Sequence, residues 1–277
     1  MRRLKTLPFF RENRAVSYGL SAIIITAVTV ALVLAAFFYA YQVLDRQRGE
    51  SEFNIAQKSF LAFDDALENV AWKPGATRST RFSVQYGYLQ LIPSVNSITL
   101  RATVNGAWQS LSNSTYPGSS GIMKYWISDN YITFGPNYES YILGNNSSVV
   151  SGSTESYGRS VIRQQAGWVT ITLDYRVRTM RTAVINVAGT DTNYVDIWVI
   201  KVSMLVSSQW SYVNDFDLQA KALSVRTASY RFNNVSNQTT SVSVQIGSAT
   251  AQQVPISLVV PSSVVYNVVV AEVQVSA

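Results

Sequence analysis

Arg14–Tyr41 reads RAVSYGLSAIIITAVTVALVLAAFFYAY. Beyond Arg14 this stretch carries no charge and no proline. Its roughly 26 apolar and small residues, at about 1.5 Å of rise each, are enough to cross a hydrocarbon core of about 30 Å as a helix. Before it stands a short cationic leader with Arg2, Arg3, Lys5, Arg11 and Arg14 against Glu12. Positive flanks are retained in the cytoplasm, which predicts an N-terminus inside and the bulk of the chain outside. The leader contributes +4 of the formal net charge of +6, so the basic balance is no sign of nucleic-acid binding.

Downstream of Tyr41 the pattern turns amphipathic. Phe53, Ala56, Phe60, Phe63, Leu67 and Val70 recur at three- and four-residue steps, the period of a helix with one apolar stripe. Glu50, Glu52, Asn54, Gln57, Lys58, Asp64, Asp65 and Glu68 are expected on the remaining faces, with Asp64 and Asp65 in solvent. Gly49 is expected to loosen the helix, since an interior Gly costs about 1 kcal/mol relative to Ala. Trp72-Lys73-Pro74-Gly75 ends it. The expected organisation is a basic leader at 1–15, a long helix at 16–72 and a head at 76–277. Within the helix, 16–41 would be the transmembrane or filament-core part and 42–72 the stalk.

The head reads as many short strands. Trp168–Val177 alternates most clearly, and β-rich runs recur at 80–92, 97–104, 121–134, 181–188, 194–206, 221–232, 240–247, 254–260 and 263–275. Asn105-Gly106 is the best two-residue hairpin turn. The fold class is therefore mainly β, an antiparallel sandwich head on one long N-terminal helix. The Ser/Gly/Asn-rich stretch at 144–158 marks either a division of the head or a long surface loop. With no cysteine there is no disulfide framework, and burial with sheet hydrogen bonding must hold the head.

The junction Arg14-Ala15-Val16-Ser17, with the run GLSAIIITAVTVALVLAA after Tyr18, resembles the N-terminus of archaeal type IV pilins over roughly residues 11–45. Tyr18-Gly19 stands where many members have proline after the Ser. The resemblance implies a class III signal peptide cut by a prepilin peptidase between Ala15 and Val16, next to Arg14, with the helix retained. It further implies a structural subunit, major or minor, of a type IV pilus-like cell-surface filament. That subunit would reside in the membrane before assembly, then join identical copies through the N-terminal helix with the help of assembly machinery. Its head would face outward for adhesion or contacts. The residues leave other readings open: an uncleaved anchor carrying a monomeric extracellular adhesin or solute-binding domain, or a membrane-anchored enzyme.

Chemistry is sparse. Without His or Cys there is no imidazole base, Ser-His-Asp triad, thiol nucleophile or usual zinc site. Asp64, Asp65, Glu139, Glu155, Asp174, Asp191, Asp196, Asp215 and Asp217 are the acids a carboxylate-pair hydrolase or a calcium loop would draw on. Neither 191–196 nor 214–217 has the spacing of a known loop. No catalytic, cofactor-binding or metal-binding residue is expected. Five Asn-X-Ser/Thr acceptors lie beyond the membrane helix, at Asn113, Asn145, Asn146, Asn234 and Asn237, making the head a candidate glycoprotein. Sixteen tyrosines and six tryptophans supply core contacts, with a few left at the surface.

Overall fold

A computed structural model describes residues 13–113, 116–187, 189–205 and 209–277, with side chains described from Tyr18 onward and not at Val187. The chain divides into two compact units, Met1–Arg48 and Gly49–Ala277, with the boundary inside the single long helix α1 (Asn13–Ala71). The amphipathic half of the helix thus belongs to the head. Residues 144–158 fall inside that second unit.

The head is mainly β. Its strands are β1 (Thr77–Val104), β2 (Ala107–Ser110), β3 (Ser119–Ser128), β4 (Glu139–Leu143), β5 (Val149–Val150), β6 (Gly158–Gln165) and β7 (Trp168–Tyr175). There follow β8 (Val177–Val187), β9 (Thr190–Met204), β10 (Trp210–Val235), β11 (Thr239–Ile246), β12 (Gln252–Ser257) and β13 (Ser262–Ser276). The main path runs β4-β6-β7-β3-β1-β10-β13-β9-β8-β5, while β2 and β11 pair with the far half of β1 and β12 pairs with β11. Asn105 and Gly106 both have positive φ and close the β1–β2 hairpin, the geometry a two-residue primed turn demands.

Most ladders are antiparallel, as the alternating runs suggest. Two are not: β13 runs parallel to β9 over fourteen rungs, and β5 runs parallel to β8. Along the β9–β13 ladder buried residues alternate with half-buried ones, so one face of each strand is packed more deeply than the other.

Two cores occupy opposite faces of the same long strands. In β9, Val195, Ile197 and Val199 enter one core, and Ile200 and Val202 enter the other. In β13 the change comes at the facing rung: Val270 pairs with Val199, and Ala271 pairs with Ile200. Because successive side chains in a strand point to opposite faces, the switch requires no break in the ladder. The first core is a helix-on-sheet layer. Phe53, Phe60, Phe63 and Leu67 of α1 meet Phe82, Leu89 and Leu91 of β1 and Tyr125 of β3, with the Phe60 and Phe82 rings edge-to-face at 5.6 Å. The second is a sandwich in which Leu100 and Ala102 of β1 and Val242 and Val244 of β11 pack with Val195 and Ile197 of β9 and with Tyr266 and Val268 of β13.

Candidate functional site

In the first unit, α1 is the one helix among the described residues long and apolar enough to cross a membrane. Its apolar side chains are bare: Leu20, Ile23, Leu32 and Tyr39 are exposed, and Phe37 is 73% exposed. Thr26 donates its hydroxyl to the Ala22 carbonyl and Thr29 donates to Ile25, each at 2.8 Å. Both hydroxyls are therefore satisfied inside the helix and suit an environment without water. Ala22, Thr26, Ala27 and Ala31 line a shallow apolar face bordered by Ile23, Val30 and Leu34. Small residues in such a row let a neighbouring helix approach closely. The junction Arg14, Ala15 and Val16 falls among residues whose side chains lie outside the described ones, and leader residues 1–12 lie outside them altogether.

In the second unit the rest of α1 is fastened by carboxylates. The β1–β10 ladder is interrupted between Val84 and Leu89, where a bulge leaves amide groups to be satisfied elsewhere. Glu52 meets that need. Its carboxylate accepts from the backbone N–H groups of Gln85 at 2.7 Å, Tyr86 at 2.9 Å and Gly87 at 3.0 Å, and from the Tyr125 hydroxyl at 2.8 Å. Burial beside the Glu52 charge pushes the Tyr125 phenol well above its ordinary value, so it stays a donor.

A second fastening lies four helical turns on. Glu68 Oε1 accepts from Ser156 Oγ at 2.9 Å, Tyr157 N at 2.7 Å and Gly158 N at 3.2 Å. Asp64 is only 3% exposed, and its Oδ1 has no hydrogen-bond partner, as is true of the buried Tyr175 hydroxyl. Burial first, then the neighbouring Glu68, raise Asp64 to about 7. The segment Asn145–Ser156 is held in place by Arg176, which donates to Asn145 Oδ1 and the Ser156 carbonyl, and Arg178 donates to the Glu155 carbonyl.

These contacts correct three expectations. Glu52 and Asp64 are buried and Glu68 is engaged with the sheet, so they do not fill a solvent face. Each flanks the apolar stripe at a four-residue step: Glu52, Ala56, Phe60, Asp64 and Glu68 form one ridge, and that spacing is the signal by which they could have been recognised. The helix runs continuously through Gly49. A β-carbon there would meet the Tyr131 ring at 2.6 Å, so the glycine serves close approach.

The acids considered for chemistry have structural partners or stand apart. Asp174 pairs with Arg159, Glu139 with Arg163, and Asp215 with Arg81, while Asp191 and Asp196 lie on β9. Among the described residues no three metal-ligating side chains come together. Asn113, Asn145, Asn146, Asn234 and Asn237 are all exposed, although Ser114 and Thr115 of the first acceptor lie outside the described residues. Asn113 and Asn145 spend their side-chain oxygens on local turns, accepting from Tyr116 N and Ser147 N.

Surface aromatics gather in two places. Tyr88, Trp126 and Trp168 form a cluster on the sheet face away from the helix, with Lys124 Nζ 3.8 Å from the Trp126 ring. Trp108 of β2 stands in a cleft on the outer side of the second core. Comparison with family models, curated proteins and solved structures found no match.

Proposed function

We propose that this chain is a structural subunit of a type IV pilus-like surface filament of the archaeal kind. In this reading the leader is removed between Ala15 and Val16, and the retained apolar helix is held in the membrane until it bundles with identical helices. The head faces outward for adhesion or contacts. The observation that carries the proposal is the uncovered apolar surface of residues 18–44, whose two threonine hydroxyls are satisfied within the helix and whose alanines line one face. An apolar surface this large is not left in water by a lone molecule; it marks a lipid or protein interface. The carboxylate fastenings support the same reading, because a helix that is drawn out of lipid into a filament must carry its head with it.

Mass spectrometry of the chain's native N-terminus tests this directly. The expected first residue is Val16, and replacing Arg14 with Gln or Ala15 with Leu is expected to block processing and filament formation. Finding Met1 retained, with the chain dispersed as single copies in the membrane, overturns the proposal in favour of a plain anchored ectodomain.

A further inference from the structure

The cleft at Trp108 has a volume of about 490 Å3, within the range of roughly 300–1,000 Å3 that small-molecule sites occupy. It lies on the outer face of the β2–β1–β11 sheet. Arg101 is paired with Ser110 across one ladder and with Ser243 across the other, while Trp108 faces Thr103 two positions along. Arg101 and Trp108 are therefore diagonal neighbours on one face, about 7–8 Å apart at their α-carbons.

The chemistry of the lining is uneven in an informative way. Trp108 is 45% exposed although an indole is costly to leave in water. Arg101 is exposed and forms no ion pair or hydrogen bond among the described residues, while four other arginines and lysines of the head pair with acids. The Ser97, Thr99 and Ser119 hydroxyls, all in the lining, also make no hydrogen bond there. Ser112 is locked to the Leu100 backbone and Ser110 to the Ser112 carbonyl, so these two shape the floor.

We infer that this cleft binds an acidic saccharide of the uronate type. A pyranose ring presents a face of C–H groups that packs on an indole, and its rim of hydroxyls matches Ser97, Thr99 and Ser119. The guanidinium fork of Arg101 fits a carboxylate with two parallel hydrogen bonds. Single-stranded nucleic acid is the weaker match. It calls for a basic groove with successive stacking rings, and this lining has one cation and one ring. The site does not depend on whether the chain assembles into a filament.

The test uses the full chain in detergent micelles and titration calorimetry with three probes. These are a hexasaccharide of alternating glucuronate and N-acetylglucosamine, the same hexasaccharide with its carboxylates reduced to alcohols, and hexathymidylate. The acidic sugar is expected to bind about tenfold more tightly than the reduced one, the share of one charge-assisted contact. Arg101→Gln is expected to erase that difference, and Trp108→Ala to weaken both sugars by about tenfold. Both residues are exposed, and an unchanged thermal transition verifies folding of each variant. Absence of acidic-sugar binding by the wild-type chain, binding that neither substitution alters, or preference for hexathymidylate would each overturn the assignment.

Discussion

Asp64 rests against Gly158 so closely that a β-carbon built on the glycine would stand 2.1 Å from Asp64 Oδ1. The carboxylate reaches the Gly158 strand from the helix, and only the absent side chain makes room for it. Gly158→Ala should destabilise the head by about 1–3 kcal/mol, the range for forcing extra volume into a packed site. Chemical unfolding of the two proteins measures it. Because Gly158 also donates its N–H to Glu68, the loss should shrink without vanishing when Gly158→Ala is made in an Asp64→Ala background.

The same carboxyl group makes stability depend on pH. Asp64 protonates at about 7 in the folded chain against an ordinary value of 3.8. Between these values the folded state holds a proton that the unfolded state has released, so this group's stabilisation is greatest at the acidic end. It declines as pH rises and is gone above about 7. The groups facing it are Glu68 and Asp65, which oppose its ionisation, the buried Tyr175 ring, and Ser156, whose hydroxyl donates to Asp64 Oδ2 at 3.4 Å and favours the charged form. Denaturant midpoints measured from pH 4 to pH 8 should fall through this window in the wild-type chain relative to Asp64→Asn. A constant difference between the two curves would contradict the assignment.

Glu52→Ala removes the acceptor from three backbone amides and the Tyr125 hydroxyl at once. Each buried donor left unsatisfied costs about 1–3 kcal/mol, so the loss should exceed about 3 kcal/mol even after water enters. Tyr125→Phe removes one donor and leaves the carboxylate its amides, so it should cost about 1 kcal/mol. The ordering of the two thermal midpoints is the readout, together with hydrogen exchange at Gln85–Gly87, which should accelerate in Glu52→Ala alone.

Gly49→Ala separates close approach from helix loosening. If Gly49 served only as a flexible point, alanine would stabilise the helix by about 1 kcal/mol. The Tyr131 ring predicts the opposite, a net loss. In a Tyr131→Ala background the ring is gone, and Gly49→Ala should recover its favourable sign. A double-mutant cycle on thermal stability gives the coupling directly.

Much of the architecture was legible beforehand. The uncharged run up to Tyr41, the stripe from Phe53 to Val70, the stop at Pro74-Gly75 and the Asn105-Gly106 turn are local signals, and the structure forms each where the spacing puts it. What escaped was non-local. The parallel pairing of β9 with β13 joins residues more than seventy positions apart, and nothing in either run states its partner. The role of Glu52, Asp64 and Glu68 also depended on the other side of the interface. A carboxylate beside an apolar stripe looks solvated until a strand bulge presents amides to it. In the Trp108 cleft the Asn105-Gly106 turn sets the local register that brings Arg101 beside Trp108, but the wall at Ser97 and Ser119 comes from the β1–β3 ladder, which the hairpin does not state.

The change of side at Val199–Ile200 and Val270–Ala271 has a mechanical consequence. The helix layer and the sandwich share β9 and β13 as a common spine, so neither can come apart while the other keeps its grip. Heating or pulling should therefore break the head in a single event, a useful property for a part whose work would be to stay attached under load.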